Sequence, residues 1–95
     1  MITHGPVMYK CDYIPNQQFF AGCEDLERKV QEVKPILHLS GHIHEGYSWA
    51  YNGSTEFFNG SVLDANYEMK NDPWEIELNV HYKEVKVLNN ILTPN

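Results

Sequence analysis

Five histidines hold most of the chemistry open to this chain: His4, His38, His42, His44 and His81. The pair in Gly41-His42-Ile43-His44-Glu45-Gly46 comes first, directly after the apolar run Pro35 to Leu39. In an extended segment residues i and i+2 project to one side, so the two imidazoles are expected to converge as metal ligands. Gly41 is expected to allow close backbone approach before the pair, and Gly46 to free the chain after it. His4 is the third candidate. It follows Ile2-Thr3 and precedes Gly5-Pro6, at the carboxyl end of an expected strand, where ligands of open α/β sites gather. Three imidazoles could hold one Zn²⁺ or Ni²⁺ with water completing the shell, whereas Mn²⁺ and Mg²⁺ prefer oxygen ligands. His38 reads as a hydrogen-bonded core histidine, and His81 as a solvated or half-buried position on a late strand.

Those side chains need elements to hold them. "CEDLERKVQEV" places Leu26, Val30 and Val33 on one face, with acidic residues early and Arg28 and Lys29 later, so a helix is expected until Pro35 ends it. "PILHLSGH" suits a buried strand running into a glycine loop. "GYSWAY", Asn52-Gly53 and "STEFF" read as a hairpin with a two-residue type I′ turn, packed through Trp49, Tyr51, Phe57 and Phe58. Asn59-Gly60 is expected to mark a bend or bulge. Residues 10 to 21 show no clean periodicity and are expected to be irregular. The alternation in "WEIELNVHYKEVKVL" predicts one or two late strands with one polar face. The sum is α/β and rich in sheet: one main helix and about six strands.

Ninety-five residues with 42% hydrophobic content and two tryptophans predict a single small folded domain. Seven basic against thirteen acidic residues leave a net charge of −6, which repels a phosphate backbone, so no nucleic-acid partner is expected. A phosphate-bearing substrate could still be recruited where bound cations reverse the local sign. No apolar run approaches the roughly 20 residues that span a bilayer, and no signal-peptide pattern opens the chain, so no membrane partner and a cytoplasmic location are expected. Cys11 and Cys23 read as free thiols of a reduced compartment. A structural zinc site built from those cysteines and the His42/His44 pair is a weaker alternative on spacing. Both Asn-Gly-Ser sequences, at Asn52 and Asn59, read as turn chemistry and not as glycosylation acceptors.

"ITHGP", the helix, "PILHLSGHIHEGY", "FFNGSVLD" and "NDPW", in that order and over about residues 2 to 75, resemble the C-terminal portion of a calcineurin-like metallophosphoesterase. The longer match resembles the small metallophosphodiesterase branch of that family. The resemblance implies part of a β-sandwich flanked by helices, with residues 1–95 forming one partial domain. It also implies a hydrolase whose two divalent ions (Mn, Fe, Zn or Mg), about 3.5–4 Å apart, activate water against a phosphodiester. Carried over by position, His4 and His42 match ligands of the second metal and His44 a ligand of the first.

The family's Asp-x-His, Gly-Asp and Gly-Asn-His motifs do not occur in these 95 residues. The expectation is therefore a fragment of a metal-dependent phosphoesterase that is inactive alone and holds no metal, or one Zn²⁺ or Ni²⁺. It is expected to form a homo-oligomer or to associate with an N-terminal half, since half a sandwich leaves strand edges unpaired. The alternative is a noncatalytic metal-binding or assembly module that keeps the histidines.

Overall fold

The structure, a computed structural model, describes residues 1–89. Its centre is a three-stranded sheet of β3 (Leu37–Ser40), β4 (Ser48–Tyr51) and β5 (Glu56–Asn59), ordered β3-β5-β4. The first two in that order are parallel, with Leu37 opposite Glu56 and Ser40 opposite Asn59. β4 returns antiparallel, with Trp49 opposite Phe58. Residues 1–3 extend the sheet beyond β3 without forming a full strand: Ile2 bridges Leu39 in parallel, and the Thr3 N–H donates to the Leu39 carbonyl at 3.0 Å.

β5 is the centre of packing because its side chains alternate across the sheet and both faces are covered. Phe57 joins Val7 and Val30 in one core, against Cys11, Leu26 and Ala50. Phe58 faces the other way, stacked on Trp49 at 5.7 Å between centroids and edge-on to Trp74 at 5.3 Å. The expected four-residue aromatic packing thus divides between two faces, and Tyr51 stays out of both, 59% exposed.

α1 (Glu24–Val33) forms where its apolar spacing predicts. Cys23 caps it, the sulfur accepting the Leu26 N–H at 3.4 Å, and three acidic residues occupy the first turn, where the helix dipole favours them. Lys34 ends it in the left-handed region at φ +52°, just before Pro35. Val30 is buried and Leu26 half-buried, but Val33, expected on the same face, is exposed in the last turn.

Three local expectations are corrected. The hairpin turn is centred on Gly53-Ser54, not Asn52-Gly53, because the Asn52 N–H pairs with the Thr55 carbonyl. The Asn52 carboxamide oxygen takes the Ser54 and Thr55 N–H groups at 2.9 and 2.8 Å, a side-chain turn that displaces the type I′ geometry. Residues 10 to 21 are not wholly irregular: β1 (Tyr13–Ile14) and β2 (Phe19–Phe20) form a minimal antiparallel pair. The late alternation yields two strands, β6 (Ile76–Asn79) and β7 (Glu84–Val87). His81 lies in the turn between them and is exposed, not on a strand. The described residues therefore hold seven short strands in three small sheets.

A candidate metal centre at the carboxyl ends of parallel strands

His4 and His42 meet where the extended N-terminal segment and β3 end side by side. The Gly41 N–H donates to the His4 carbonyl at 3.0 Å, which ties the two loops together. Above that bond the imidazole centroids lie 4.4 Å apart, tilted by 40°. His38 anchors the segment from below. The Thr3 hydroxyl donates its one hydrogen to the Gly5 carbonyl at 2.7 Å, so at 2.9 Å it must accept from the His38 Nε2–H. His38 is 1% exposed, as its core reading anticipates, and burial followed by the nearby N-terminal ammonium pushes its pKa down.

The expected convergence of His42 and His44 does not occur, because the segment carrying them is not extended. His42 sits in the left-handed region at φ +66°, and His44 opens a 3-10 turn (His44–Gly46). That change of direction sends His42 toward His4 and His44 toward the segment after β5. There His44 Nδ1 is 3.0 Å from the Asp64 carbonyl oxygen, and Tyr67 lies edge-on to its ring at 5.1 Å. The glycines also act otherwise than expected. Gly41 meets nothing closer than ordinary contact. A Cβ on Gly46 would run into the Cys11 carbonyl and the Asn59 amide nitrogen, so its place is fixed by packing.

Asn59 holds the loops around this region, a role that the reading of Asn59-Gly60 as a bend missed. It is fully buried. Its Nδ2 donates to the carbonyls of Cys11 and Ile43 at 3.0 and 2.9 Å, and its Oδ1 accepts the Ser61 N–H at 3.0 Å. The Trp74 indole closes the set by donating to the Asn59 carbonyl at 2.9 Å. Its proximity to the histidine loop after an apolar strand was the available signal, masked by the usual turn meaning of Asn-Gly.

The donor set sets the limits of the chemistry. His4 and His42 form a two-imidazole corner, and the buried Ser61 hydroxyl beside Gly41 has no partner among the described residues. No group of three or more His, Cys, Asp or Glu side chains placed to hold a metal occurs among the described residues. Cys11 and Cys23 are free; Cys11 is half-buried against the Phe57 carbonyl and Cys23 serves the helix cap, so a zinc site joining them to His42 and His44 is not formed. The corner fits one side of a cation's shell. By itself it does not fit two dications, which need carboxylates to bridge and neutralise them.

Fold and site together describe an α/β protein in which two imidazoles meet where β3 and the N-terminal segment bridged to it end. Metallophosphoesterase domain-containing protein 1 of Homo sapiens is 43% identical over 79 residues, 82% of this chain and 24% of that protein. The protein of the same name in Mus musculus matches to the same extent. UPF0046 protein T07D4.2 of Caenorhabditis elegans is 33% identical over 91 residues, 94% of this chain and 23% of its own length. The chain belongs to the metallophosphoesterase family, and it spans about a quarter of the length of the curated relatives it matches. No family model matches it.

Proposed function

We propose that this chain supplies the histidine side of a two-metal phosphodiesterase site, completed by the carboxylates of the Asp-x-His and Gly-Asp motifs, which these 95 residues lack. The observation that carries the reading is the His4–His42 imidazole pair at 4.4 Å, formed by two loops far apart in sequence. These two residues would hold the second metal and His44 the first, as the family resemblance implies. When bound, the metals supply Lewis acidity toward the phosphoryl group and an activated water near neutral pH. The chain's own contribution is orientation. His42 takes a left-handed backbone conformation that turns its ring onto His4, and the Gly41–His4 hydrogen bond fixes the distance between the loops. His44 is held through Nδ1, which leaves Nε2 free to act as a ligand.

The acidic surface agrees with this division. At a net charge of −6 the chain repels a phosphodiester unless cations intervene, so substrate binding and metal binding are expected to be lost together. The full fold is proposed to be the family's helix-flanked β-sandwich, with the three small sheets as part of it. The test is hydrolysis of bis(p-nitrophenyl) phosphate with Mn²⁺. The chain alone is expected to be no faster than its His42→Ala/His44→Ala double variant. Adding the portion of the human relative outside the matched quarter is expected to produce metal-dependent turnover that the double variant lacks. Turnover by the chain alone, or none after complementation, counts against the proposal.

A further inference from the structure

We propose that the turn from Asp64 to Glu68 is a positioning device for His44, fixing its tautomer through the Asp64 carbonyl. This inference rests on the reading of His44 as a metal ligand. The turn is built by one side chain. Asp64 Oδ1 accepts the N–H groups of Asn66 at 2.8 Å and Glu68 at 3.0 Å, while the Asp64 N–H donates to the Glu68 carbonyl at 2.9 Å. The carbonyl of the same residue accepts from Tyr67 N–H at 3.0 Å and lies 3.0 Å from His44 Nδ1. A carbonyl only accepts, so the His44 nitrogen facing it must carry a proton, and in the neutral ring Nε2 is then the lone-pair atom.

Tyr67 completes the arrangement. It stands at φ +63°, a conformation that L side chains rarely adopt, and is 76% exposed, so burial is not what keeps it there. Its ring is edge-on to His44 at 5.1 Å. The two Asp64 side-chain bonds hold the backbone in that state and bring the ring over the imidazole. The base of the turn is tied down separately: the Lys70 and Asn71 N–H groups donate to the Val62 carbonyl, and Asn71 Nδ2 donates to the Ser61 carbonyl. Asp64 is thus a positioning residue, acting on His44 through its own backbone.

The test is a long-range ¹H–¹⁵N imidazole correlation spectrum of the metal-free chain, with His44 identified by the signal missing from His44→Gln. Wild type is expected to show His44 as the Nδ1–H tautomer. Asp64→Asn keeps the Oδ1 acceptor and is expected to preserve it. Asp64→Ala is expected to lose it, with the signals of His38 unmoved. An Nε2–H tautomer at His44 in wild type overturns the proposal whatever the variants do. So does an unchanged His44 spectrum in a folded Asp64→Ala. The spectrum needs neither metal nor substrate, so its failure is distinct from failure of the phosphodiesterase reading, which the complementation assay reports.

Discussion

His38 and Asn59 make the residue-scale account testable. His38 is held below its ordinary pKa of 6.5 by burial first and the N-terminal ammonium second. The unfolded chain therefore binds that proton more readily than the folded one. The stabilisation is complete above the unfolded value and is lost as pH falls from there through the lower folded pKa. Calorimetry is expected to show a melting temperature that drops as pH falls below about 6.5, and a shallower drop in His38→Gln. An identical slope in the variant would remove His38 as the cause. Asn59→Ala strips partners from two carbonyls and one N–H, and is expected to cost about 3 kcal/mol, read from the urea midpoint. A loss below about 1 kcal/mol would mean that water replaces the carboxamide. His38 was legible as a core histidine because it lies inside an apolar strand. Asn59 was not, since nothing local distinguishes a buried Asn from one in a turn.

At the scale of elements, legibility followed the strength of the periodic signal. The helix and β3 emerged where spacing placed them, because a cap, an apolar stripe and a proline agree. The loop bearing His42 and His44 did not. Its conformation is set by bonds to Asp64 and Asn59 and by the close packing of Gly46 against the Cys11 carbonyl, contacts from distant parts of the chain that no local pattern encodes. The hairpin turn slipped by one residue for a local reason, the competing Asn52 side chain. The C-cap of α1 offers an element-scale prediction. Lys34 occupies the left-handed position that glycine adopts without steric cost, at φ +52°. Lys34→Gly is expected to stabilise the chain by roughly 0.5–1 kcal/mol, a rise of about 4 °C in melting temperature. A lower melting temperature would show that the Lys34 side chain contributes more than its backbone costs.

The whole molecule is a small body with much apolar surface outside its cores. Tyr9, Tyr13, Phe19 and Phe20 are each at least 40% exposed, and three of them form an aromatic cluster around Phe20. Such a patch on a chain spanning a quarter of its relatives' length leads us to expect association, with itself or with the remainder of the fold. Sedimentation velocity is expected to show a species larger than 11.1 kDa, and Phe20→Ser to shift it toward monomer. No helix among the described residues is long and apolar enough to cross a membrane. The family was readable because the motif order is specific. The shape of the site was not, because a two-imidazole corner depends on where two separate loops end. Native mass spectrometry, with metal content read from the same sample, decides whether the metals need both portions of the fold. The two-metal reading predicts at most one metal on the chain alone, two on its complex with the complementing portion, and fewer on that complex for His42→Ala. Two metals held by the chain alone, or no gain on complementation, would contradict it.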